Sequence, residues 1–278
     1  MKHLAIDLCN KSGETKIAKL NNQKLALPAQ SQGQESCYLA IKDMPYEQGD
    51  YIKISTSQDK SYLIVQLDEA LTPALLFVEG TEWHYHLPLS DKERESLGSK
   101  PFSGNQHFIS VRYARDFEIA QYGNLALNTH DQKEGSGGFP HAYANVETRN
   151  DSTFFAKNAI DGMVANNYHG SYPYQSWGIN QQKDAALTID FGREVVVDQI
   201  ALVLRGDYPH DSYWTQVTVD FSDDSREIFQ THKEMERQYF SFPERRISRL
   251  TLKELIKAED ESPFPALTQI EVFGRNAL

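Results

Sequence analysis

The sequence has few cysteines and no long apolar run. Only Cys9 and Cys37 occur in 278 residues, and two thiols do not make a disulfide framework. No apolar stretch approaches the ~18 residues that a membrane-spanning helix needs. The N-terminal segment is interrupted by Asp7 and is not followed by the small-residue cleavage site of a secretory signal. These absences predict a soluble cytoplasmic protein.

Positive charge is also scarce. The chain has 28 Lys and Arg against 39 Asp and Glu, so its formal net charge is −11. Phosphate recognition needs a surplus of basic residues, and anionic membranes attract basic surfaces, so we expect neither nucleic acid nor membrane as a partner. A Gly-rich phosphate loop and a Gly-x-Ser-x-Gly elbow are also absent. The remaining composition is that of a globular protein long enough for two domains.

Short strand patterns dominate the first half of the chain. Residues 51–57 and 61–68 flank a polar turn and predict a hairpin, and residues 73–80 and 81–89 predict a second pair. One short helix is predicted where Ser90 and Glu93 form a capping box, with its end at Gly98. The polar, glycine-rich residues 129–138 are typical of a surface loop.

The second half alternates more regularly between apolar and polar residues. Strands are predicted at 186–192 and 195–205, and a strand pair is predicted across the turn Asp223-Asp224-Ser225. Many short strands with almost no helix indicate an all-β chain, which we interpret as two β-sandwich domains. We place the boundary near residues 118–123, so that the domains are 1–118 and 119–278.

An ordered set of short motifs runs from about residue 124 to 275. It comprises "NLALN", "NVETRNDSTFFAKNAIDG", "YHGSYPYQSW", "ALTIDFG", "VVVDQIALVLRGD", "TQVTVDFSDDS" and "LTQIEVFG". This half of the chain resembles the discoidin domains, the coagulation-factor type C group that includes many bacterial carbohydrate-binding modules. The resemblance implies a galactose-binding-like antiparallel jelly roll of eight strands, with ligands bound in loops at one end. Residues 1–117 match no family.

The loop "NNYHGSYPYQSWG" (166–178) contains four aromatic residues and one His, and it has no Asp, Glu, Lys or Arg. Aromatic rings stack on the C–H faces of sugars, while hydroxyls need directional polar partners. We therefore predict His169, Tyr172 and Tyr174 as ligand contacts, and the resemblance also implies sugar contact at His169. Trp177 is expected to plug the end of the sandwich, with the change from exposed to buried near Tyr174.

A second loop, "LRGDYPHDSYW" (204–214), follows a predicted strand. Its candidate ligand contacts are Arg205, Asp207, His210, Asp211 and Trp214. The resemblance implies that the Arg205 guanidinium grips sugar hydroxyls through its fork of donors. The alternative is an ion pair of Arg205 with Asp207 or Asp211 that only shapes the loop.

Two further groups complete the candidates. Asn145, Glu147 and Arg149 would share one face of a strand and form a site wall, or else an ordinary solvated face. The resemblance also implies a structural Ca²⁺ site with Asp161 and Glu271 as carboxylate ligands. The alternative at Asp161 is an Asx turn without metal.

The leading hypothesis is a noncatalytic carbohydrate-binding protein that requires no cofactor. Its partner would be a mono- or oligosaccharide, of galactose type or a uronic acid. One alternative is a carbohydrate-active enzyme using Glu147, Asp211 and His210, for which two carboxylates should lie about 5–10 Å apart in one pocket. Another is a protein interaction scaffold with an exposed apolar patch on the first domain. The sequence leaves the oligomeric state open.

Overall fold

The computed structural model describes residues 2–20 and 25–277. The regular secondary structure of the described residues is mostly antiparallel strand, which confirms the all-β prediction. It divides into two units. The first comprises the residues up to Arg115 together with Gly135–Gly138, and the second comprises Asp116–Glu134 and the residues from Phe139 onward.

The first unit contains two antiparallel sheets. Its elements are β1 Leu4–Cys9, β2 Ile17–Leu20, β3 Leu27–Pro28, β4 Gln30–Gly33, β5 Ser36–Lys42, β6 Tyr51–Thr56, β7 Ser61–Gln66, β8 Ala74–Val78, β9 Glu82–His86, α1 Asp91–Arg94 and β10 His107–Tyr113. One sheet has the order β4-β1-β6-β9, and the other includes β8-β7-β10-β5-β2-β3.

Both hairpins predicted in this unit are wrong. Strand β6 pairs with β1 and β9, whereas β7 pairs with β8 and β10, so the polar turn after Thr56 carries the chain from one sheet to the other. The predicted partners β8 and β9 also lie in different sheets. Ile54 and Leu63 are both fully buried in one hydrophobic core. Strands on two facing sheets therefore show the same alternation as a hairpin would.

The predicted helix is confirmed as α1, although it ends at Arg94, four residues before the predicted end at Gly98. Ser90 is its N-cap, and both hydrogen bonds of the capping box with Glu93 are present. The amide of Gly98 donates to the Arg94 carbonyl at 3.0 Å, and its φ of 82° is one that favours glycine.

Residues 135–138 were expected in a surface loop of the second domain, but they belong to the first unit. The Trp83 indole N–H donates to Ser136 Oγ at 2.9 Å, and the Glu79 amide donates to the Gly137 carbonyl at 3.1 Å. A Cβ at Gly138 would lie 2.9 Å from the Trp83 ring, so only glycine fits against it. A short segment therefore returns to the first unit for hydrogen bonding and packing.

The second unit is an antiparallel β-sandwich around one hydrophobic core. Its helix is α2 Asp116–Ala120, and three 3₁₀ helices span Thr148–Asn150, Ser152–Phe154 and Ala156–Ile160. Its strands are β11 Gly123–Asn124, β13 His141–Ala144, β14 Trp177–Gly178, β15 Leu187–Leu204, β16 Trp214–Phe221, β17 Arg226–Gln230, β18 Gln238–Lys257 and β19 Ala266–Asn276. The two-residue strand β12 Gly138–Phe139 lies beside β8 in the sheet of the first unit.

The main sheet of this unit has the order β11-β19-β15-β18-β16-β17, while β13 pairs with β15 and β14 with β19. The two strands predicted at 186–192 and 195–205 are one bulged strand, β15. The predicted strand pair across Asp223-Asp224-Ser225 is confirmed as β16 and β17. Among the described residues, none of the helices has the length and apolarity required to cross a membrane.

Candidate functional site

The aromatic loop at 166–178 changes from exposed to buried at Tyr174, as predicted. Tyr168 and Tyr172 are 66% and 46% exposed, Tyr174 is half-buried, and Trp177 is fully buried. The Trp177 indole N–H donates to the Val146 carbonyl at 2.9 Å, which satisfies its polar atom inside the core. Trp177 is therefore the predicted plug, and the preceding tyrosines form the exposed lip.

Arg205, at the end of β15, is buried, and protein atoms accept its hydrogen bonds. Its Nε donates to Asp207 Oδ1 at 2.6 Å, and its terminal nitrogens donate to the carbonyls of Tyr174 and Tyr168 and to Ser176 Oγ. These bonds join the 166–178 loop to the loop that follows β15. The loop-shaping ion pair, which was the alternative to sugar contact, is thus present in the structure.

Three further side chains meet beside this ion pair. His169 Nδ1 lies 3.0 Å from Asp207 Oδ2, and the rings of His169 and His210 stack with centroids 5.3 Å apart and an interplanar angle of 5°. His210 Nδ1 lies 3.0 Å from the Phe264 carbonyl. Burial lowers the pKa of His210, so its imidazole is neutral at pH 7. The exposed His169 thus contacts two buried side chains, Asp207 and His210.

A pocket of about 340 Å³ opens beside the two histidines. Phe154, Phe264 and the imidazoles of His169 and His210 supply its rings. Its remaining lining residues are Thr148, Arg149, Gly178, Ile179, Asn180, Gln181, Pro209, Pro265 and Ala266. The volume is in the range of small-molecule sites, and none of these described lining residues is an Asp or a Glu.

Of the five candidates in the 204–214 loop, only His210 lines this pocket. The prediction of Trp214 as a ligand contact is wrong, because the side chain is fully buried and packs against Trp177 with ring centroids 6.4 Å apart. Asp211 accepts hydrogen bonds from Ser262 Oγ at 2.6 Å and Lys233 Nζ at 3.2 Å. The hydrogen bond from the Ser262 hydroxyl lowers the pKa of Asp211 below its ordinary value, and the Lys233 ammonium contributes to the same shift to a smaller extent.

The expectation that Asn145, Glu147 and Arg149 share a strand face is wrong. Strand β13 ends at Ala144, and a 3₁₀ helix follows. The Asn145 amide donates to the Asp184 carbonyl and its oxygen accepts from the Ala186 amide. Glu147 Oε1 accepts from the Ala156 amide at 2.8 Å. Arg149 lines the pocket, with its side chain 70% exposed and 3.6 Å from Asp151.

The two predicted calcium ligands have protein partners. Asp161 Oδ1 accepts from the Met163 amide at 2.7 Å, which is the Asx turn considered as the alternative, and Oδ2 accepts from Gln175 Nε2 at 2.7 Å. Burial raises the pKa of Asp161 to about 6. Both oxygens of Glu271 accept from Arg237 Nε at 3.0 Å. A calcium ion would have to displace these donors, and calcium binding here stays a prediction.

The sequence analysis missed the four lining residues that carry a phenyl ring or a side-chain amide: Phe154, Asn180, Gln181 and Phe264. Asn180 and Gln181 both adopt positive φ, at 49° and 58°, which places them in a tight turn after β14. The only sequence signal was the polar run "NQQK" directly after the Trp177 strand. Phe264 lies between two prolines in "PFP", a pattern of irregular backbone without periodicity.

No family model and no curated protein matches the chain. Among solved structures, chitosan-binding module 1 from a chitosanase/glucanase of Paenibacillus sp. IK-5 is 18% identical with a TM-score of 0.39, over 54% of this chain and 98% of the module. The lectin domain of lectinolysin, complexed with Lewis B antigen, is 18% identical with a TM-score of 0.40, over 55% of this chain and 97% of the domain.

A family 32 carbohydrate-binding module from NanJ of C. perfringens, complexed with galactose, is 15% identical with a TM-score of 0.37. That match covers 48% of this chain and 91% of the module. Proteins of one fold bind different ligands, so the ligands of these modules are properties of those proteins.

Proposed function

We propose that the second unit binds a carbohydrate, without catalysing a reaction on it, in the pocket beside His169 and His210. The observation that supports this proposal is the combination of rings and polar side chains around one cavity of about 340 Å³. The sequence resemblance to discoidin-like modules led to the same expectation.

The rings on the pocket wall have the chemistry that a sugar face requires. Phe264 is 40% exposed, so it presents part of its ring to solvent, whereas Phe154 is only 7% exposed. The centroid of the His210 ring is 5.6 Å from that of Phe154 and 6.1 Å from that of Phe264. C–H groups of a pyranose would pack on this cluster, as apolar groups do on aromatic faces.

The polar lining residues would bind the hydroxyls. Asn180 and Gln181 are exposed amides, each with donor and acceptor atoms, and the Arg149 guanidinium offers planar donors. Arg149 lies over the Phe154 ring at 5.7 Å, so its donors are held near the aromatic wall. This set replaces Arg205 in the role that the sequence analysis gave to that residue.

The noncatalytic part of the proposal is supported by the positions of the acidic side chains. Glycoside chemistry needs two carboxylates about 5–10 Å apart in one pocket. The Glu147 carboxylate accepts a hydrogen bond from the Ala156 amide, and the Asp211 carboxylate accepts from Ser262 and Lys233. Neither residue lines the pocket. Binding is therefore favoured over acid–base chemistry with these two groups.

The proposal can be tested by calorimetric titration with galactose, N-acetylgalactosamine, fucose and glucuronic acid. We expect binding of at least one of them, weakened about tenfold by Arg149→Ala through loss of charged hydrogen bonds. Phe264→Ala should weaken it by about 3- to 10-fold through loss of ring contact. The matched control is Arg246→Ala, because Arg246 is also an exposed arginine paired with a carboxylate, that of Glu194. Absence of binding by every sugar, or equal losses for Arg149→Ala and Arg246→Ala, would refute the proposal.

A further inference from the structure

Three donor side chains meet beside the pocket, and two of them, His169 and His210, line it. Sugar binding does not require such a group. His169, Asp207 and His210 each offer one ligand atom, and these atoms all lie within 4.8 Å of one another. We propose that this His–Asp–His group binds a divalent transition-metal ion, with Zn²⁺ the best match. The proposal does not depend on the proposed carbohydrate function.

The donor types select the class of metal. Two imidazoles and one carboxylate form a ligand set that proteins use for Zn²⁺ and other first-row transition metals, whereas Ca²⁺ and Mg²⁺ prefer sites made of oxygens alone. The site proposed here is therefore chemically distinct from the calcium site predicted at Asp161 and Glu271. It should discriminate strongly between Zn²⁺ and Ca²⁺.

The hydrogen bond of His210 fixes which of its nitrogens can bind a metal. Its Nδ1 lies 3.0 Å from the Phe264 carbonyl, and a carbonyl can only accept, so Nδ1 must carry the proton. The neutral ring therefore has its lone pair on Nε2. A backbone carbonyl that accepts from the second nitrogen is one of the arrangements that orient metal-binding histidines.

Asp207 is held in a corresponding way. Its Oδ1 accepts from Arg205 Nε at 2.6 Å, while Oδ2 lies 3.0 Å from His169 Nδ1. One carboxylate oxygen is thus anchored and the other faces the histidines. Because Arg205 neutralises the charge of Asp207, we expect weaker metal binding than at a site with an unopposed carboxylate.

To hold the ion, the three donor atoms, which lie within 4.8 Å of one another, must come closer together. Zn–N and Zn–O distances near 2.1 Å place tetrahedral ligands about 3.4 Å apart. The His169–Asp207 separation of 3.0 Å is already that short, and the ion would take the place of the proton shared between them. The side chain of His169 is 62% exposed and can rotate toward the other two ligands. Three protein ligands would leave one position open to water.

The proposal is tested by titrating Zn²⁺ into the tag-free chain of residues 1–278 after removal of metals with EDTA. We expect one ion to bind per chain. His169→Ala should weaken binding by at least about tenfold, which is the lower end of what loss of even a supporting group costs. Because His169 is exposed, this variant should fold. The control is His232→Ala, an exposed histidine of the same unit.

Two further measurements keep the outcome unambiguous. Asp207→Asn should also weaken Zn²⁺ binding, and Co²⁺ should give a visible absorption band that is lost in His169→Ala. Equal Zn²⁺ affinity in the wild type and His169→Ala, no bound Zn²⁺ at all, or Ca²⁺ binding as tightly as Zn²⁺ would overturn the proposal. Sugar titrations repeated in EDTA measure sugar binding without metal, so the two functions are tested separately. A failure of sugar binding would leave the Zn²⁺ result unchanged, and a failure of Zn²⁺ binding would leave the sugar result unchanged.

Discussion

The second unit should lose stability in mild acid because of one buried imidazole. His130 is 1% exposed, and its Nδ1 lies 2.9 Å from Thr129 Oγ1. Burial lowers the pKa of His130 from 6.5 to about 3, since the charged imidazolium cannot be solvated there. The folded state therefore keeps His130 neutral at pH values where the unfolded chain would protonate it.

The size of the effect follows from the difference between the two pKa values. When the pKa of a histidine is lower in the folded state than in the unfolded chain, its contribution to stability is fully present at pH values above the unfolded pKa, here 6.5. This contribution is lost as the pH falls toward the folded pKa of about 3. Each pH unit within this window costs about 1.4 kcal/mol. Between pH 7.5 and 4.5 the free energy of unfolding should therefore fall by about 2.7 kcal/mol through His130.

The assay is urea unfolding of wild type and His130→Gln at pH 7.5, 6.5, 5.5 and 4.5. Glutamine can keep a hydrogen bond to Thr129 but does not titrate. Asp131 and His141 have raised pKa values and so act in the opposite direction, and subtracting the variant removes their contribution. The difference between wild type and variant should shift by about 2.7 kcal/mol against the wild type as the pH falls. A difference that does not change with pH would refute the reasoning.

Two substitutions test the packing and the capping described above. Trp214→Ala should destabilise the second unit by about 3–5 kcal/mol in urea unfolding, because it leaves a large cavity in the core; a loss below about 1 kcal/mol would contradict the burial of this side chain. Ser90→Ala should cost the first unit about 1 kcal/mol through loss of the N-cap of α1. The neighbouring exposed Ser99→Ala is the control, and equal effects of the two substitutions would contradict the capping role.

Local patterns predicted the strands better than their pairing. The alternation of Leu187, Ile189 and Phe191 and the turn at Asp223 identified β15, β16 and β17 because these signals lie within a few residues. The turn after Thr56 was misinterpreted because a hairpin and a corner between two facing sheets produce the same local pattern. Pairing depends on residues far apart in the chain, such as Ile54 with Trp83.

The site was predicted only in part, because the composition of a loop is a local signal and the contacts between loops are not. The loops at 166–178 and 204–214 were chosen for their composition, and His169, Asp207 and His210 do meet. The burial of Arg205 could not be predicted from the sequence. Its hydrogen-bond acceptors include the Tyr168 and Tyr174 carbonyls, which lie 37 and 31 residues earlier in the chain. Phe264 reaches the pocket from a third segment whose sequence carries no periodic signal.

The return of residues 135–138 to the first unit makes that unit discontinuous in sequence. A chain shortened to end at Arg115 would lack Ser136 and Gly137, leaving the Trp83 indole N–H and the Glu79 amide without their acceptors. During synthesis, the ribosome must also pass residue 138 before the first unit is complete, when residues 116–134 have already been made. Dissection of this protein at the obvious boundary would therefore damage the unit that it was meant to isolate.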